Sequence, residues 1–270
     1  MSRLATKLGE LSGKPTSSKL HIHPLSKEFS ELGEFKGEKI DSEADNEGRQ
    51  ISFKSEKSNF ASAGWHTDIS FEPVPADYSM LQLRTIPRSG GDTMWSSMYS
   101  AYDALSPAMK KFLEGMTAIH DAEDFREQSA KFGFPLYSKE RGHPLNVGDK
   151  LQVSHPVIRT NPVTGYKALF INKSFTKRIN ELSIDESDAV LAYLFRLVAE
   201  SFDFQVRFRW NVDDIALWDN RSSQHSGIFD FGKAKRVGDR CVSIGERPFY
   251  DPSSRSRAEA LEGEKTEWEI

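Results

Sequence analysis

The sequence predicts a mixed, mainly β fold: short strands closed as a jelly roll (a double-stranded β-helix), flanked by helices. Three observations carry this. Short strand-like runs recur along the chain, rich in apolar side chains at residues 78–85 and alternating at residues 204–210. Turn signals separate them, Pro87 to Gly91 being the clearest. Helical patterns are few, the best being residues 183–202. Many short strands with a handful of helices fit sheet closure better than an open, helix-covered sheet.

Taken in order, residues 1–19 are polar and carry few structural signals. Leu20-His21-Ile22-His23-Pro24 reads as a strand end stopped by proline. Residues 26–58 are charged and hold Gly33, Gly37 and Gly48, so they read as a loop-rich excursion with one strand near residues 51–53. Strands are expected at 64–72, 78–85 and 92–97. Helices are expected at 97–105 and 106–116, where Ser106-Pro107 offers an N-cap followed by proline at the first helical position. At 183–202, Ser183 and Glu186 form a capping-box pattern, and Ala189, Leu191, Leu194 and Val198 repeat on one face, which is read as packing. Residues 204–210, Ile215–Asp219 and 241–244 complete the expected strands. Residues 1–250 read as one jelly-roll domain, and residues 251–270 as a polar C-terminal tail or a terminal helix.

Bulk properties narrow the class. The 270 residues suffice for one large domain with a full core. A hydrophobic share of 37% and a mean hydropathy of -0.56 describe a soluble globular chain. Net charge is -4 and the isoelectric point about 6.0, so no basic field argues for nucleic acid. The single cysteine, Cys241, forms no internal disulfide and reads as a core thiol in a reducing compartment. No apolar run reaches the ~18 residues of a membrane span, and the N-terminus lacks a secretory core, so a cytoplasmic protein is expected.

The chemistry is announced by His66-Thr67-Asp68 and, far downstream, His225. Two imidazoles and one carboxylate hold non-haem Fe(II) on one face and leave its other positions open. On a strand, residues i and i+2 point to one side, so His66 and Asp68 can grip one ion. Alone, a His-x-Asp is weak, because 7 His and 40 acidic residues produce such pairs by chance. A His/Asp/His set also occurs in zinc hydrolases, which remain an alternative on these residues alone.

Further strings accompany the ligands: Trp65-His66-Thr67-Asp68-Ile69-Ser70-Phe71, Ser89-Gly90-Gly91-Asp92-Thr93, His155-Pro156-Val157-Ile158-Arg159-Thr160-Asn161-Pro162, Leu169-Phe170-Ile171-Asn172, and Leu217-Trp218-Asp219-Asn220-Arg221-Ser222-Ser223-Gln224-His225, then Arg236 and Arg240. Together, and in this order, they resemble the taurine/2-oxoglutarate dioxygenase family over most of the chain. The resemblance implies Fe(II) held by His66, Asp68 and His225. It implies that 2-oxoglutarate and O2 are consumed, that succinate and CO2 are formed, and that ascorbate serves as reductant in vitro. Arg236 matches the arginine that takes the far carboxylate of 2-oxoglutarate, and Thr93 the hydroxyl beside it. Arg240 matches the arginine for the anionic head of a substrate, and His23 a substrate-contacting histidine.

The pocket departs from the taurine enzyme. Ser26 stands where a tyrosine is expected and Ser62 where an asparagine is expected, so groups that would hold taurine are missing. The expected substrate is a small anionic molecule: a sulfonate, sulfate ester, aryloxy acid or carboxylic acid. Phe170 and Phe229 can line a more apolar pocket or belong to the core. Desaturation or cyclisation would use the same residues. Fewer residues precede His23-Pro24 than in family members, from which an exposed sheet edge, self-association into a homo-oligomer, or an inactive binding protein are expectations. Retention of all five residue types at 66, 68, 93, 225 and 236 argues for the enzyme.

Overall fold

The computed structural model describes residues 2–11, 20–25, 38–41, 60–133, 135–232 and 234–262. Two antiparallel sheets carry the jelly roll. The larger runs β1-β12-β2-β10, made of β1 (Glu38–Asp41), β12 (Val237–Ile244), β2 (Ala76–Thr85) and β10 (Ile215–Asp219). The smaller runs β11-β3-β9, made of β11 (Ser223–Gly227), β3 (Thr93–Ser97) and β9 (Gln205–Phe208). Neighbours in space are distant in sequence: Leu81 of β2 faces Arg240 of β12, and Trp95 of β3 faces His225 of β11. The sheets share an aromatic core in which Leu81, Leu83 and Trp218 meet Trp95, Phe208 and Trp210. The Trp95 and Trp218 rings lie 5.5 Å apart, edge to face, a favoured aromatic geometry.

A second body of structure braces this roll. Strands β5 (Gln152–Pro156), β4 (Thr117–Asp121) and β8 (Thr176–Ile179) form a three-stranded sheet, and β6 (Ile158–Thr160) pairs with β7 (Lys167–Leu169). Helices α2 (Met98–Asp103), α3 (Pro107–Leu113) and α5 (Ile184–Glu200) pack over them in the largest hydrophobic cluster. Ser106 caps α3 with proline at its start, and Ser183 and Glu186 form the capping box of α5. Leu191, Leu194 and Val198 are buried as the spacing predicts, each stabilising by roughly 1.5–3 kcal/mol. Ala189 is exposed, and its place on the buried face is taken by Ser187, whose Oγ accepts from Ile179 N at 2.9 Å. Cys241 is buried and in no disulfide, its Sγ 3.5 Å from Ser2 Oγ.

The structure differs from the sequence reading in several places. Residues 64–72 are no strand: Ala61–Gly64 is a 3-10 turn, His66 makes an isolated bridge, and residues 68–72 turn, with Ile69 at φ 49°. The polar start carries α1 (Ser2–Leu11), which buries Ala5. Between β4 and β5 lies α4 (Glu123–Phe132), stopped by Gly133 in the left-handed conformation at φ 68°. The strand expected at 51–53 and Ser26 fall outside the described residues. Residues 251–262 fold back onto the body: Lys167 N donates to Arg255 O at 2.9 Å, and α6 (Arg257–Leu261) docks with Ala258 N on Asp103 Oδ2 at 3.1 Å. No helix of the described residues is long and apolar enough to cross a membrane.

Candidate metal centre

His66 and His225 are locked together through their backbones. His66 N donates to His225 O at 3.0 Å and His225 N to His66 O at 2.9 Å, so the two residues form a directly opposed antiparallel pair. Their rings follow, with centroids 4.2 Å apart. Asp68, at the start of the turn, completes a buried cluster whose ligand atoms all lie within 4.8 Å of one another. Asp68 Oδ1 lies 3.6 Å from His66 Nε2 and 3.8 Å from His225 Nε2. His66 Nδ1 bonds to Gly64 O at 2.7 Å, which fixes its tautomer and turns Nε2 toward Asp68. Three donors of this type converging on one point fit a divalent metal, and the set leaves open positions for exogenous ligands.

A ring of hydrogen bonds sets the carboxylate. Asp68 N donates to Asn220 Oδ1 at 3.2 Å, Asn220 Nδ2 to Ser79 Oγ at 2.8 Å, and Ser79 Oγ to Asp68 Oδ2 at 2.5 Å. Oδ2 is thereby taken and Oδ1 faces the imidazoles. Arg240 Nη1 donates to that Oδ1 at 2.9 Å. Burial works to raise the Asp68 pKa, but the Arg240 guanidinium, with His225 and His66, holds it well below the usual carboxylate range. Burial, helped by the His66 charge, pushes His225 down to about 3. A charged carboxylate beside a neutral imidazole is the protonation state a metal needs.

Arg236 is not the surface cation its lysine-rich surroundings suggest. It is 4% exposed; its Nε donates to Gly91 O at 2.9 Å and its Nη2 to Thr93 Oγ1 at 3.2 Å. Burial lowers its pKa to about 10, with Asp92 opposing. Thr93 Oγ1 also accepts from Trp210 Nε1 at 3.0 Å. A hydroxyl with both acceptor sites used has its own proton left to donate. Gly91, at φ 77°, allows this approach: a Cβ there would sit 3.2 Å from Arg236 Cδ.

The remaining expected residues lie at different depths. His23 is half-buried, its ring centroid 4.9 Å from that of Phe125, which packs with Phe71 and Phe175; the Phe175 ring lies 6.2 Å edge-on to His66. Ser62 is exposed on the 3-10 turn leading to His66. Phe170 is core, stacked on His120, whereas Phe229 is half-buried. The sequence reading assigned no role to Ser79 or Asn220. Asn220 stood inside the string ending at His225, but its partner Ser79 carries no signal until β2 and β10 pair.

A donor set of two histidines and one carboxylate on a jelly roll, with a buried Arg-Thr pair beside it, is that of a non-haem Fe(II) oxygenase. The comparisons agree. The model of the family "Taurine catabolism dioxygenase TauD, TfdA family" matches residues 3–242. An alpha-ketoglutarate-dependent dioxygenase of Penicillium shearii is 38% identical over 96% of this chain and 77% of its own length. An alpha-ketoglutarate-dependent sulfonate dioxygenase of Saccharomyces cerevisiae is 34% identical over 71% of this chain and 44% of its own length. The crystal structure of a taurine dioxygenase from Burkholderia xenovorans aligns with TM-score 0.62 at 27% identity, over 80% of this chain and 66% of that one. The chain belongs to the TauD/TfdA family. It is an alpha-ketoglutarate-dependent dioxygenase, an oxidoreductase of the class that uses iron and O2.

Proposed function

We propose that His66, Asp68 and His225 hold Fe(II), that Arg236 and Thr93 bind the far carboxylate of 2-oxoglutarate, and that Arg240, His23 and Ser62 face a small anionic substrate whose C–H bond is oxidised. The observation that carries this reading is the pairing of the buried ligand cluster with a buried guanidinium that donates to Thr93 Oγ1. Bound Fe(II) supplies the activation of O2 and the oxidation that follows.

The residues of the chain do the rest. The ring through Ser79 and Asn220 aims Asp68 Oδ1 at the metal position. Arg236 presents a planar fork, the geometry a carboxylate matches best, and the Thr93 hydroxyl adds its proton. Arg240 puts a positive charge beside the ligand cluster, which selects an anionic head group. Burial of the three ligands, each under a tenth exposed, keeps bulk water from the reacting carbon.

The substrate class is a sulfonate, sulfate ester, aryloxy acid or carboxylic acid. Relatives in Pseudomonas putida and Saccharomyces cerevisiae carry the names of sulfate ester and sulfonate dioxygenases. Residues 1–250 act as one domain of a cytoplasmic enzyme, with ascorbate as its reductant in vitro. The test is anaerobic titration of the protein with Fe(II) and then 2-oxoglutarate, followed by the visible charge-transfer band. Its appearance supports the assignment and justifies a substrate screen; its absence, with metal bound, refutes the assignment of Arg236 and Thr93.

A further inference from the structure

Three separate segments meet on one buried carboxylate next to the metal centre. Glu72, 0% exposed, accepts from Arg141 Nε at 2.5 Å and Nη2 at 2.9 Å, a two-pronged ion pair. It also bonds to His21 Nε2 at 3.1 Å. Arg141 is itself held by Tyr137 O at 2.9 Å and Gly148 O at 2.7 Å, which tethers the loop around it. His21 stands two residues before His23, and its N donates to Val242 O on β12 at 2.8 Å, two residues past Arg240. Glu72 closes the turn that Asp68 opens, its N donating to Ile69 O at 3.0 Å.

That turn does not hold itself. Ile69 sits at φ 49°, a region a β-branched side chain rarely adopts, so the surrounding structure must impose it. Ser70 Oγ is met by Asn172 Nδ2 at 2.9 Å and His120 Nδ1 at 3.0 Å, and Glu72 O by His155 Nε2 at 3.0 Å. These contacts seat the middle of the turn. The Glu72 carboxylate joins the turn both to the segment bearing His23 and to the loop at 137–148.

We propose that Glu72 is a positioning residue: through Arg141 and His21 it holds Asp68 at the metal centre and keeps the His23 segment in register with it. This rests on the reading of Asp68 as a metal ligand. Glu72 touches neither metal nor substrate, and its effect passes through the turn.

Mn(II) binding to the full chain, followed by calorimetry and by the EPR spectrum of the bound ion, tests this. Two variants are compared with wild type: Glu72→Gln, which keeps shape and loses charge, and the double variant Glu72→Met, Arg141→Leu, which leaves no unpaired charge in the core. Leu194→Ala, in the core under α5, controls for lost stability. The expected result is a 10- to 100-fold weaker Mn(II) affinity in Glu72→Gln, the usual range for losing a group that supports a ligand. The double variant stays as weak even where its melting temperature returns to that of wild type, its Mn(II) spectrum is altered, and Leu194→Ala binds normally. Wild-type affinity in either folded variant, or an equal loss in Leu194→Ala, overturns the proposal. If wild type itself binds no Mn(II), the metal-centre reading falls and this inference with it, an outcome separable because all proteins then fail alike.

Discussion

Arg240 Nη1 donates to Asp68 Oδ1 across 2.9 Å, the same oxygen that faces His66 Nε2 at 3.6 Å and His225 Nε2 at 3.8 Å. One carboxylate oxygen is therefore turned toward both imidazoles and the Arg240 guanidinium, the groups proposed to meet the metal and the substrate. A divalent ion at that point would share Oδ1 with the guanidinium, and the Arg240 charge would then be better satisfied by an incoming anion. Arg236, by contrast, donates to Gly91 O and Thr93 Oγ1.

The two arginines should therefore separate in kinetics. Arg236→Ala is expected to raise the KM for 2-oxoglutarate about 10- to 100-fold, the value of one charge-assisted contact of roughly 1.5–3 kcal/mol, with a much smaller change for the substrate. Arg240→Ala should do the reverse. Steady-state kinetics with each compound varied in turn checks this, and equal effects of both variants on both compounds would refute the division.

Metal affinity should grade with distance from the ion. His66→Ala and Asp68→Ala are expected to abolish metal-dependent turnover, because each removes a direct donor. Ser79→Ala removes only the donor to Asp68 Oδ2 and breaks the ring through Asn220, so a loss of about 10-fold in Fe(II) affinity is expected. Equilibrium titration with Fe(II) under anaerobic conditions measures both. Full affinity in Asp68→Ala would sink the ligand assignment.

The candidate ligands His66, Asp68 and His225, which the structure gathers in one buried cluster, and the proposed co-substrate residues Thr93 and Arg236 could be named from the sequence because their residue types suggest the chemistry, whatever their conformation. Their immediate supports could not. Ser79 is an ordinary strand serine until β2 lies beside β10, and Glu72 looks like one more surface carboxylate until Arg141 arrives from 69 residues away. The alternation of Trp65, Thr67, Ile69 and Phe71 reads as a strand, yet the segment turns after Asp68. Polar groups there are buried on all sides, Ser70 and Glu72 among them, and their hydrogen bonds to distant partners override the local pattern. Strands β2, β3, β9 and β10 and helix α5 were readable because their patterns and caps are local, whereas β1 and β11 were not expected. Helix α1 was missed since, among its described side chains, only Ala5 is buried.

Gly91→Ala tests the shape of the co-substrate pocket without touching its charges. The added methyl would lie 3.2 Å from Arg236 Cδ and 3.0 Å from Pro87 Cγ, and the backbone at φ 77° is strained for alanine. Arg236 is expected to shift and the KM for 2-oxoglutarate to rise several-fold, while Fe(II) affinity, set at β11 and the 66–68 segment, stays unchanged. An unaltered KM would mean that Arg236 does not reach the co-substrate from this position.

Stability should fall in mild acid because two buried histidines resist protonation. His155 is pushed down to about 3, by burial and then by the Arg159 charge. His120, fully buried with its ring 5.3 Å from His155, is held well below its ordinary value, by burial and then by His155. Above the unfolded-state value of about 6.5 both are neutral in either state and cost nothing. As pH drops below that value the unfolded chain binds protons that the folded chain refuses, so stability falls, at up to about 1.4 kcal/mol per pH unit for each histidine. For His155 the loss continues until pH reaches about 3. Urea unfolding of the metal-free protein at pH 7, 6 and 5 should show this decline, and His120→Phe should flatten its slope. A midpoint independent of pH across that window, in wild type, would mean that these imidazoles are protonated as readily in the fold as outside it.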